Sequence, residues 1–193
     1  MHILSDTCSV LMLIRIAPNM FVDKNFNCVT TRDVWREIFQ TQKFKSKYPW
    51  RDRFRSKIKP LKNSEVQDKD FFLYLQAIQK QIKNGIINSR TSLLFDLSKI
   101  DQRILACALS HNFLLSTTDR DMIDYYLQQF SNNPEEIISP LGMINRWLGR
   151  GLIRWSDKQQ TITEDWLKCD EAAQPIAEIK KFKKLTGFKY AGP

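Results

Sequence analysis

The sequence predicts an α/β fold: a central, mostly parallel sheet flanked by helices, followed by a C-terminal helical extension. Three observations lead there. Residues 2–5 form a short apolar run that passes at once into a helix-period segment over 7–16. Residues 113–117 repeat that arrangement, with a helix opening at Asp119 or Asp121. Between them, helix and strand signals alternate, as in parallel strands joined by helical crossovers.

Taken in order, 2–5 reads as a buried strand and 7–16 as an apolar helix stopped by Pro18. Residues 27–30 read as a second strand. Thr31 then offers a hydroxyl cap to a helix carrying Val34, Trp35, Ile38 and Phe39. Phe71, Phe72, Leu75, Ile78 and Ile82 recur at helical spacing, and Gly85 stands where that helix should end. Ser98 opens a capped helix with a small-residue face through Ala106 and Ala108. After strand 113–117, the next helix runs through Tyr125, Tyr126 and Leu127. Beyond Pro134 the pattern weakens: 140–148 reads as a helix, 152–155 as a short strand and 173–185 as a basic helix. On this reading 1–131 is the sheet-bearing domain, and 132–193 is an extension packed on or appended to it.

The chain has 193 residues and a formal net charge of +9, so a polyanion is the first partner to consider. The charge is concentrated. Residues 43–62 hold nine basic residues and one acidic, and 176–193 hold five and one. The remainder is near neutral. Four cysteines are scattered without a CxxC pair, and only His2 and His111 accompany them, which argues against a zinc site. Cys8 and Cys107 sit in apolar contexts and read as small buried hydrophobes. No basic segment precedes the first apolar run, and that run is too short to span a bilayer. The expectation is a reduced, cytoplasmic protein with no membrane partner. Nothing resembles a phosphate-cradling glycine loop or a nucleophile elbow.

Acidic residues stand at strand and helix ends. Asp6 closes the first strand and Asp119 follows strand 113–117. Glu37 sits among Trp35, Ile38 and Phe39, and Asp101 lies in the first turn after Ser98. In a parallel sheet the strand C-termini converge on the ligand-binding edge. Carboxylates gathered there repel one another unless a cation lies between them, and hard Mg²⁺ or Mn²⁺ suits oxygen donors. The bland alternative is that Asp6, Asp101 and Asp119 are simply helix caps.

In chain order, the segments Ile3-Leu4-Ser5-Asp6-Thr7, Val34-Trp35-Arg36-Glu37-Ile38, Asp101 to Ala108 and Leu114 to Asp121 resemble the PIN-domain pattern. The chain looks like a PIN-domain ribonuclease, closest in style to toxins of bacterial toxin–antitoxin pairs, over residues 1–130. The resemblance implies a PIN-like sheet and a pocket holding Mg²⁺ or Mn²⁺. It implies in-line hydrolysis of RNA to a 5′-phosphate product without a nucleophilic side chain. Asp6, Glu37, Asp101 and Asp119 match the catalytic, metal-holding acids, with Asp121 a further candidate ligand just beyond. Thr7 matches the small hydroxyl residue after the first acid and is counted with the RNA-contacting residues. Cys8 departs from the Asn or Ser expected next, which affects a supporting hydrogen bond and not the acids.

Residues 43–62 interleave charge with Phe44, Tyr48, Trp50 and Phe54. Lys43, Lys45, Lys47, Arg51, Arg53 and Arg55 would neutralise phosphates while the aromatics stack on unpaired bases. The opposing reading packs those aromatics on the core. RNA is the expected partner; DNA is not excluded, because phosphate contacts do not distinguish the two. An antitoxin covering the basic C-terminal helix, and a homodimer, are both compatible with the sequence. Two other classes remain open: a non-catalytic RNA-binding module on a PIN-like scaffold, and an interaction protein whose partner covers the tail.

Overall fold

In the computed structural model, which describes residues 1–131, 133–169 and 174–192, the strand β1 (Ile3–Ser5) lies inside a four-stranded sheet. β2 (Cys28–Val29) pairs with one side of it and β3 (Leu114–Ser116) with the other; β4 (Ile137–Ile138) pairs with β3. Every pairing is parallel, and Ser5 stands opposite Ser116 in the register. The inner strands are buried on both faces, which is why they read as unbroken apolar runs rather than alternating ones. The outer strands have two residues each, short enough to offer little edge for foreign pairing.

α1 (Thr7–Leu13) leaves β1 directly, with Asp6 as its N-cap, and only Cys8 escapes full burial. A helix apolar on nearly every side belongs in the interior. It ends three residues earlier than the periodicity suggests, because the chain tightens into turns ahead of Pro18. α2 (Arg32–Gln40) starts at the Thr31 cap, whose hydroxyl accepts from Val34 N at 3.3 Å. α3 (Gln42–Lys47) and a 3₁₀ turn (Pro49–Phe54) carry the basic segment, followed by the short α4 (Asn63–Val66). α5 (Lys69–Lys83) packs along α6 (Lys99–Ser110), and Gly85 follows α5 at φ 73°, where a side chain would be strained. α7 (Arg120–Gln129) follows β3.

Residues after 131 are more than an addition. β4 completes the sheet, and α8 (Pro140–Gly149) places Trp147 fully buried and edge-on to Phe26 at 5.1 Å. α10 (Ile176–Thr186) is tied to α8 by Asn145 Nδ2, which donates to Glu178 O at 2.8 Å and Glu178 Oε2 at 2.6 Å. α9 (Asp157–Cys169) sends Trp166 onto Tyr48, stacked at 5.2 Å. The described residues after 131 are thus packed on the part before them, and the sheet and core continue across position 131. The strand expected at 152–155 is absent from the sheet. Gly151 turns the chain at φ 68°, and Trp155 packs edge-on against Phe182 at 4.7 Å instead of pairing. The expected helix 173–185 begins at Ile176; Ala173 lies outside the described residues. Among the described residues no helix is long and apolar enough to cross a membrane.

Candidate active site

The ends of three strands are stitched together by short-range bonds. Asp6 N donates to Ser116 O at 3.1 Å, and Ser9 Oγ donates to the same carbonyl at 2.9 Å. Thr30 Oγ1 donates to Ser5 O at 3.0 Å. These bonds bring the C-termini of β1, β2 and β3 to one place and set Asp6 between them.

Asp6 is 5% exposed, and its Oδ1 accepts from Ser9 N at 2.7 Å. Burial pushes its carboxyl up to about 6; hydrogen bonds from Thr117 and Ser9 oppose this, and the nearby Asp101 adds to it. Asp119 is an exposed residue whose carboxyl is partly desolvated, which raises its pKa; the Met122 amide partly offsets this and Asp101 reinforces it. Its Oδ1 accepts from Met122 N at 3.0 Å, and its own amide donates to Thr117 Oγ1 at 3.0 Å. Asp101 thus acts electrostatically on both other acids, and Thr117 touches both. Asp101 itself shares a capping box with Ser98: Oδ2 accepts from Ser98 N at 2.9 Å, and its amide donates to Ser98 Oγ at 3.2 Å. Glu37 is half-buried and joins the group through Thr7, whose hydroxyl donates to Glu37 Oε2.

The bland reading of the acids is therefore realised as well. Asp6, Asp101 and Asp119 each hold a helix N-terminus through one carboxylate oxygen. The other oxygen of each is not needed for the cap. Among the described residues no group of three or more His, Cys, Asp or Glu has the arrangement of a metal site. Asp6, Glu37, Asp101 and Asp119 are all carboxylates, the oxygen-donor type that a hard divalent cation takes.

Two positioning features escaped the sequence reading. Arg103 Nε donates to Asp33 Oδ2 at 2.5 Å, joining α6 to α2, the helices that carry Asp101 and Glu37. Thr117 links Asp6 to Asp119; the hydroxyl run Ser116-Thr117-Thr118 ahead of Asp119 was its signal. Asp121 is turned toward the loop before α6, accepting from Asn88 Nδ2 at 3.3 Å and Asp96 N at 3.1 Å.

The basic segment divides into exposed and buried parts. Lys45, Lys47, Arg53 and Arg55 are exposed; the Lys43 side chain lies outside the described residues. Arg51, expected on the binding wall, is 2% exposed and is corrected to a structural role. Its Nε donates to Ile38 O at 2.7 Å and its Nη1 to Tyr48 O at 3.3 Å, closing the 3₁₀ turn onto α2. Phe44 and Tyr48 are buried as well, so they pack on the core and cannot stack on bases, while Trp50 and Phe54 are half-buried. Their inward turn follows from Trp166, which supplies the aromatic face that Tyr48 covers. Arg55 lies over Phe39 at 4.4 Å and Trp35 at 5.4 Å. Cys28 and Cys107 are buried with thiols pushed up to about 12, whereas Cys8 is only half-buried.

No family model, curated protein or solved structure matches the chain.

Proposed function

We propose that the chain is a metal-dependent endoribonuclease of PIN type, with a toxin–antitoxin setting as its context. One observation carries this reading: Asp6 and Asp119 stand just past the ends of the paired strands β1 and β3, bridged by Thr117, and Asp101 acts electrostatically on both. A bound Mg²⁺ or Mn²⁺ would supply Lewis acidity toward the phosphodiester and a water of lowered pKa. Asp6, Asp101, Asp119 and Glu37 would hold it. Thr7 orients Glu37, the Asp33–Arg103 pair keeps α2 and α6 in place, and burial of Asp6 strengthens its attraction for a cation. Exposed Lys45, Lys47, Arg53 and Arg55 support RNA through its phosphates.

Cleavage of a mixed RNA pool with Mn²⁺ tests this. Asp6→Asn and Asp101→Asn should each lose activity by about 100-fold. Equal activity in all three proteins, or activity indifferent to EDTA, would sink the mechanism. The three helix caps favour a second reading, a non-catalytic RNA-binding module. That reading requires the melting temperature to stay unchanged on adding Mn²⁺, whereas a cation site raises it.

A further inference from the structure

A cavity of about 180 Å³ opens beside the acidic edge. α7 lines it through Ile123 and Leu127, and Pro134, Ile137 and Pro175 add further apolar lining. Thr118, Arg120 and Ser139 bring the polar groups. Its lining combines residues from both sides of position 131, so the segment that completes the sheet also completes this cavity.

Size, walls and position indicate one occupant. An apolar cavity of roughly 150 Å³ is enough for benzene, so one six-membered ring fits here. Aliphatic and proline walls suit the faces of a planar ring, while hydroxyls can meet its polar edge. Ser139 Oγ accepts from Gly142 N at 3.1 Å, which leaves its own proton for an acceptor on the ring. Thr117 lines the cavity and also touches both Asp6 and Asp119. A ring seated there would share Thr117 with both acids, and its attached phosphate would lie on their side. Arg120 is exposed at the start of α7, next to Asp119, and its charge complements that phosphate.

We propose that this cavity is a subsite for a pyrimidine base of single-stranded RNA, splayed from its neighbours and held beside the phosphate. The proposal rests on the nuclease reading for its substrate, but the cavity can be tested without catalysis. The probe is 5-fluorouridine 5′-monophosphate, followed by ¹⁹F NMR in EDTA with the full chain. The wild type should give a saturable shift, weakened about tenfold in Ile123→Phe and in Leu127→Phe. If either phenylalanine variant fails to melt cooperatively, Thr118→Val reads the same titration with little change in volume. Absence of a saturable shift in the wild type overturns the proposal, as does unchanged affinity in every folded variant.

A second arm uses oligoribonucleotides with one abasic ribose moved through the sequence, cleaved with Mn²⁺. One position should lower wild-type kcat/KM about tenfold and have no effect in Ile123→Phe. Full cleavage at every abasic position overturns the subsite. Saturable nucleotide binding without any cleavage overturns the nuclease reading and leaves the base-binding cavity standing.

Discussion

Asp6 combines two demands that usually conflict. Its carboxyl caps α1 and is almost wholly buried, so water stabilises its charge poorly. The folded pKa stands at about 6 against an ordinary 3.8. The folded state therefore holds a proton that the unfolded chain has released. Stability from this group is complete below pH 3.8 and is lost as pH rises through about 6, a change on the order of 3 kcal/mol. Asp6→Asn keeps the acceptor for the Ser9 amide and cannot ionise. In EDTA, its melting temperature should fall less than the wild type's between about pH 4 and pH 7. Parallel melting curves across that range would show that burial does not strain the charge. The same residue was legible in the sequence as an acid closing a strand, but its burial was not. That depends on Thr117 and Ser116, more than a hundred positions away.

At the scale of elements, the basic segment shows why net charge and binding surface differ. Its alternation of cations and aromatics looks like a nucleic-acid surface, but α3 and the following turn use Phe44, Tyr48 and Arg51 to dock on α2 and α9. Arg51→Ala strips bonds from two carbonyls and leaves a void, costing about 3 kcal/mol of stability. Arg53→Ala should leave the melting temperature unchanged and reduce RNA affinity in a salt-dependent way. A filter-binding salt series beside thermal melts separates them. If Arg51→Ala melts like the wild type and loses only affinity, the docking role is wrong. α9 itself was missed, although Ile162 and Trp166 sit at i and i+4. Its charged and polar face hides a narrow apolar stripe that matters only once Tyr48 lies against it.

For the whole molecule, sheet and core do not stop where the chain's strong periodicity stops. Removing 132–193 would leave β3 without its partner β4 and strip Trp147 from Phe26. Truncating one buried tryptophan costs about 3–5 kcal/mol, against a typical total of about 5–15. A fragment of residues 1–131 should therefore lack a cooperative melting transition by calorimetry, whereas the full chain has one. A fragment that melts cooperatively would show that 1–131 folds by itself. The +9 charge is likewise uneven along the chain, concentrated in residues 43–62 and 176–193 against a near-neutral remainder.

The sequence by itself determined the α/β class, the inner strands and the capped helices that follow them. Those signals are local: apolar runs of strand length, a Ser, Thr or Asp at a helix start, and a period of 3.6. It also marked Asp6, Asp101 and Asp119, because acids at element ends stand out from the core pattern, and Glu37 through the resemblance alone. Tertiary structure alone decided which basic residues remain exposed and that Arg51 does not. It also added β4 to the sheet and formed the cavity beside the acids. Ile137-Ile138 is too short to carry a period and becomes a strand only through the hydrogen bonds that β3 offers. The cavity needs α7, β4 and Pro175 together, and such long-range proximity is a property of packing that no local pattern encodes.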